Sequence, residues 1–297
     1  MKTKIDANAL YQQQLEVWED FRLRVKQLET IQTRKFETGE YCVIAQFNPA
    51  RAVSSGAKLD KKSIAERKCF LCETNRPDVQ KGVDLNERFT LLVNPFPILK
   101  KHFTIPLKFH QNQEILPYFS ELLSFMKLLP DYTLFYNGPQ CGASAPDHMH
   151  FQAVEKGQLP LEWEWKSIKK EVITETKELR VERFLNYDRK CIHITSNVAD
   201  SISHYFLKLY NNLQLECDTI EEPKMNLFGF YEEDIFHIFI FHRKTHRPKQ
   251  FFEDNENFRM ISPGAIDIAG ILVLPRKEDY DTICEEEIKD VFHQVSF

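Results

Sequence analysis

The sequence predicts an α+β protein with antiparallel sheets flanked by helices, and three observations carry that prediction. Short strand-like runs alternate with a small number of helical stripes, a pattern of antiparallel rather than doubly wound sheets. Many of the 24 Phe and 10 Tyr fall in those runs. Neither GxxxxGK[ST] nor GxGxxG occurs, so the usual signatures of a nucleotide-binding parallel sheet are missing.

In chain order, Ala7, Leu10, Tyr11, Trp18, Phe21, Val25 and Leu28 recur at three- and four-residue steps and predict one long amphipathic helix to about residue 30. Strands are predicted over 41–47, 89–93, 102–106, 132–137 and 148–154. Ile115, Phe119, Leu122, Leu123 and Met126 form a helical stripe, with Pro117 tolerable in its first turn. Trp163 and Trp165 alternate with glutamates and are expected to pack one face of a strand. Further on come a strand over 191–195, a helix over 199–215, the aromatic strands MNLFGFY and IFHIFIFH, and a last strand over 269–274. No internal repeat is visible.

With 297 residues, the chain has room for one large domain or two smaller ones, each with its own core. A net charge of −5 argues against nucleic acid and membrane surfaces as partners, so an anionic ligand would need locally concentrated positive charge. His242 to Arg247 (HRKTHR) supplies such a concentration, though a solvated basic loop reads the same way. No membrane span or apolar signal core is present, and an odd count of seven cysteines suits a reducing compartment. A cytoplasmic location is expected.

The chemistry is concentrated in NGPQCGASAPDHMHFQ, residues 137–152. In an extended strand His148, His150 and Gln152 project from one face and Met149, Phe151 and Ala153 from the other. The small-residue loop before them lets backbone N–H groups and the Ser144 hydroxyl approach an anion closely. Imidazole is a competent nucleophile near neutral pH because much of it is already unprotonated. Cys69 and Cys72 are spaced to clasp one metal ion with histidines completing a tetrahedral shell, or to remain unligated thiols.

HMHFQ after GAS resembles the active-site signature of the histidine-triad superfamily, in the branch of galactose-1-phosphate uridylyltransferase and diadenosine tetraphosphate phosphorylase. LLVNPFPILKKHFTIPLKFHQ and FNPARA are similar to further blocks of those enzymes, and ISPGAIDIAGILVLPRKEDY resembles the C-terminal segment of GDP-hexose phosphorylases. The resemblance implies two histidine-triad-like halves. Residues 1–175 would be catalytic, and 176–297 catalytically silent but part of the substrate cleft.

It also implies roles. His150 would take the nucleoside monophosphate, Gln152 would hydrogen-bond the transferred phosphate, and Ser144 the phosphate chain. Asn137 would orient loop and nucleophile, and Asn94 would lie by the nucleoside. Arg51 would pair with phosphate, and Arg276 would face the substrate. Zinc, in a structural role, would sit on Cys69, Cys72, His110 and His148, with His102 the rival for the third position. Asp147 is an extra residue between Pro146 and the first histidine, which bears on the placement of Ser144.

The activity implied is nucleotidyl transfer from a nucleotide sugar or dinucleoside polyphosphate, through a nucleotidyl-histidine, to phosphate or a sugar phosphate. A non-enzymatic nucleotide-binding protein and a nucleotide hydrolase are the alternatives. Gln152, where hydrolase branches usually carry a third histidine, favours transfer.

Overall fold

The computed structural model describes residues 5–37, 39, 41–56, 61–217, 219 and 221–297, without the side chains of 53, 54, 61 and 65. Thirteen strands are present among them: β1 (Gln32–Glu37), β2 (Cys42–Phe47), β3 (Gly82–Asp84), β4 (Thr90–Val93), β5 (Phe103–Pro106), β6 (Tyr132–Asn137), β7 (His150–Glu155), β8 (Lys170–Glu175), β9 (Arg180–Phe184), β10 (Cys191–Ser196), β11 (Met225–Glu232), β12 (Ile235–His242) and β13 (Ile271–Leu274). Ten of these form one sheet in the order β3-β4-β5-β7-β6-β11-β12-β10-β9-β8, with every pairing antiparallel. The other three make a small sheet, β1-β2-β13, in which β2 and β13 run parallel.

The large sheet contains a repeat that the sequence hides. Three strands, a helix and two strands (β3, β4, β5, Phe119–Leu128, β6, β7) are followed by the same succession (β8, β9, β10, Ala199–Glu216, β11, β12). Each unit is ordered first-second-third-fifth-fourth, and the two fourth strands, β6 and β11, join them. Where the units join, Phe135 is paired with Phe228. The ladders then carry Gln152 onto Phe239, His150 onto His237 and Thr104 onto His193. The topological break falls between Glu155 and Lys170, so β8 sides with the second unit.

Side-chain alternation gives the sheet two apolar faces. One packs Leu134, Tyr136, Met149 and Phe151 against both repeat helices and the N-terminal helices. The other packs Phe135, Phe228, Phe239 and Phe241 against Val43 and Ala45 of β2, Leu272 of β13 and the C-terminal helix Glu285–Val295. The cleft lies on this second face.

Several expected elements differ. The N-terminal helix breaks at Trp18, whose extended backbone separates Ala7–Val17 from Glu19–Gln27 so that Trp18 and Phe21 both reach the core. The polar strands β1, β3 and β8 lie at sheet edges, where little apolar patterning is needed. Pro160–Glu164 is a helix, opened by Pro160 at its first position, which replaces the expected strand. Trp163 is therefore exposed, while Trp165 packs on His193, His237 and Phe239.

Candidate active site and metal centre

The strand carrying HMHFQ begins at His150, so His148 precedes it and the two imidazoles do not share a face as the alternation predicts. His148 turns toward the cysteines instead. Its Nδ1 lies 3.2 Å from Sγ of Cys69 and 3.6 Å from Sγ of Cys72, and Nδ1 of His110 lies 3.3 Å from Sγ of Cys72. All four donor atoms fall within 4.8 Å of one another. Tetrahedral zinc bonds put sulfur and nitrogen about 3.6 Å apart, so the cluster fits that ion. The ring is also correctly set: His148 Nε2 donates to the Leu107 carbonyl at 2.7 Å, leaving Nδ1 as the ligand atom. His102 is not in this cluster, and its geometry points elsewhere.

His150 is fixed by backbone. Its Nδ1–H donates to the His148 carbonyl at 2.8 Å, which leaves the Nε2 lone pair free. Burial lowers its pKa to about 4, so the ring is neutral at physiological pH. Gln113 clamps it further, accepting from His150 N at 2.8 Å and donating to the carbonyls of His150 and Asn137. His150 and Gln152 line a cleft of about 510 Å3 together with Asn94, Asn137, Ser144 and Arg51. Six of the predicted residues thus converge.

The loop above His150 is anchored from the second unit. Asn137 Oδ1 accepts from Ala265 N (2.7 Å) and from Asn226 Nδ2 (2.9 Å), and Asn226 Nδ2 also donates to the Cys141 carbonyl. Asn226 is held by Arg243, fully buried, which also donates to the carbonyls of Val295, Pro263, Thr245 and His246. Arg243 is therefore an internal brace, not part of a phosphate patch. Of the HRKTHR segment, His246 lines the cleft. At Gly142 (φ +95°) a Cβ would come within 2.4 Å of Gly264 Cα, so the loop packs there only as glycine on glycine.

Two arginines that the sequence reading missed, Arg67 and Arg76, also line the cleft. Asp147, the extra residue, pairs with Arg67, whose guanidinium also reaches toward the Ser144 carbonyl. The insertion thus ties the loop down rather than displacing Ser144 from the cleft. Arg276 is not brought to the cleft. It pairs with Glu278 and Asp279 and lies over Phe258, because the helix Lys277–Thr282 places those carboxylates beside it.

Fold and constellation resemble those of the phosphorylase branch of the histidine-triad superfamily. Residues 164–297 match the family described as the GDPGP1-like C-terminal domain, and residues 10–155 match a domain family of unknown function, DUF4922. The same fold occurs in yeast Ap4A phosphorylase Apa2. Its complex with Ap4A aligns over 96% of this chain and 97% of that one at 13% identity, TM-score 0.62. Its complex with AMP aligns over 95% and 97%, also at 13% identity, TM-score 0.56. No curated protein sequence matches the chain. Among the described residues no helix is long and apolar enough to cross a membrane.

Proposed function

We propose that this chain is a nucleotidyltransferase of the phosphorylase kind, acting on a nucleotide sugar or a dinucleoside polyphosphate. The observation that supports it is His150: a buried, neutral imidazole with Nδ1–H tied back to a carbonyl and Nε2 available in a cleft lined by polar donors. Nε2 attacks the α-phosphorus, a P–N bond forms, and the bond to the departing phosphate oxygen breaks. An oxygen of phosphate or a sugar phosphate then attacks the same phosphorus, and the P–N electrons return to Nε2. Catalysis rests on in-line positioning and on donors that follow charge onto the phosphoryl oxygens. Gln152 and Ser144 are the donors we assign, with Arg51 as a charge partner, Asn137 as the loop's anchor and Asn94 beside the nucleoside.

Zinc is the metal we assign to Cys69, Cys72, His110 and His148. Four protein donors close the shell, so its contribution is to pin the backbone from which His150 projects. The second half, 176–297, contributes His246 and Gly264–Asp267 to the cleft wall and, in this reading, no reacting group. All seven cysteines are unpaired, which suits a cytoplasmic setting.

The test is intact-protein mass spectrometry after incubation with diadenosine tetraphosphate, GDP-glucose, GDP-mannose, UDP-glucose and ADP-glucose, with phosphate omitted. A gain of one nucleoside monophosphate, absent in His150→Ala and discharged by added phosphate, is the expected result. Discharge by water alone would make the protein a hydrolase. No adduct in protein that binds nucleotide would make it a binding protein.

A further inference from the structure

The loop Asn94–His102 contains two prolines, and their missing N–H groups leave Phe96 and Ile98 as the alternate donors of its first turn. Both N–H groups are used on side chains. Phe96 N–H donates to Asn94 Oδ1 at 2.9 Å, so the Asn94 amide nitrogen faces the other way. Ile98 N–H donates to His102 Nδ1 at 3.2 Å. An imidazole that accepts at Nδ1 carries its proton at Nε2, and a cationic ring has no lone pair for Ile98 to meet. His102 is therefore the neutral Nε2–H tautomer.

That Nε2 lies 2.8 Å from Oε1 of Gln152; Asn94 Nδ2 lies 3.4 Å from the same oxygen and 3.2 Å from His102 Nε2, and because the protonated Nε2 cannot accept, the oxygen is the acceptor left to both. Two donors thus converge on one atom, so the atom is the carbonyl oxygen whichever way a carboxamide is first drawn. The Gln152 amide nitrogen has no hydrogen bond to protein among the described residues, and Gln152 lines the cleft.

We propose that His102 is a positioning residue that locks the Gln152 carboxamide with its carbonyl turned away and its N–H2 turned into the cleft, so that the side chain offers only donors to a transferred phosphoryl group. The inference rests on the transfer reading above and deepens it. Backbone N–H groups set His102 and Asn94, these set Gln152, and Gln152 meets the anion. A glutamine left to rotate would present its oxygen to phosphate in part of the population, a repulsive contact. The same arrangement explains why His102, the rival of His110 in the sequence, takes no part in the cysteine–histidine cluster.

The experiment compares His102→Leu, His102→Gln, Gln152→Ala and the double variant His102→Leu/Gln152→Ala in phosphorolysis of whichever donor labels the wild type. Loss of one oriented donor costs roughly 100-fold in rate. His102→Leu should lower kcat by about that factor with KM for the nucleotide changed less than about threefold. His102→Gln, which restores a donor, should recover most of it. In the Gln152→Ala background the His102→Leu change should cost nothing further. Additive losses, or a His102→Leu enzyme with wild-type kcat, would overturn the proposal.

A second measurement is independent of activity: 15N spectra of histidine-labelled protein. His102 should titrate as neither cation nor Nδ1–H tautomer at pH 6–8. Either form would overturn the proposal even in an active enzyme. A wild type that transfers no nucleotide would instead overturn the functional reading and leave this geometry to the spectrum.

Discussion

In the first unit Gln152 stands opposite Thr104 and faces open cleft; at the related point of the second unit Phe239 stands opposite His193 and their rings stack, centroids 4.3 Å apart and 7° from parallel. His150 lines the cleft with Nε2 free, whereas His237 is enclosed by Phe230, Trp165 and His193. One sheet face is small and polar around Gln152 and filled with rings around Phe239. The comparison teaches that the strand order supplies a platform, and that side-chain volume decides which half of it opens into a cleft.

The comparison breaks most sharply at the two histidines. His150→Ala should lower nucleotidyl transfer by about a thousandfold or more, as loss of a nucleophile does, while His237→Ala should change it less than about twofold. Steady-state rates on the donor that labels the wild type decide this; comparable losses would mean that the second unit carries chemistry. Next is the cysteine–histidine cluster, which has no counterpart in the second unit among the described residues. Purified protein should contain one zinc per chain by plasma emission spectrometry. Cys72→Ser should lose it, with a melting temperature lower by roughly 5 °C or more and a reduced kcat. A metal-free protein of unchanged stability would count against the assignment.

Gly142→Ala sharpens the contrast between an anchored loop and a packed sheet. The added methyl meets Gly264 Cα at a backbone angle that favours glycine, so a loss of about 1–3 kcal/mol in chemical unfolding and a fall in kcat are expected. The smallest effect concerns acid. Burial, then His193, Lys166 and Lys156, lower the His237 pKa to about 3. Between pH 6.5 and that value the unfolded chain takes up a proton that the folded protein refuses. Stability from this site is therefore complete above pH 6.5 and declines as pH falls. His237→Phe removes the titration and keeps the stacking, so its stability should fall less steeply with acid than the wild type's in urea melts taken from pH 7 to pH 4.

His150, Gln152 and the Cys69–Cys72 pair stood out as short strings of residue types, because two-residue spacing is a local property, while the roles proposed for them and for His110 and His148 came from the family resemblance. His102 was legible only as a candidate metal ligand. Its role depends on which ring nitrogen meets Ile98, and that follows from loop closure. Gln113 and Asn226 left no local signal, because they bond to segments far along the chain, and Arg243 was legible only as part of a basic run, not as the brace that its bonds to Asn226, Pro263 and Val295 make it. Arg276 was expected to face the substrate only from the family resemblance, whereas its sequence neighbours Glu278 and Asp279 are the carboxylates it pairs with.

By itself, then, the sequence determined the α+β class and the aromatic sheet core and marked HMHFQ and the Cys69–Cys72 pair, since these rest on period, spacing and donor type. Only the tertiary structure decided that β7 starts one residue after Met149. That start separates His148 from His150 and sends one imidazole to the two cysteines and the other to the cleft. The duplicated strand order and the filling of its second half were likewise tertiary outcomes. Both arise from pairings between β6 and β11 and from ring packing across strands, contacts whose energy depends on three-dimensional neighbours that no stretch of sequence encodes alone.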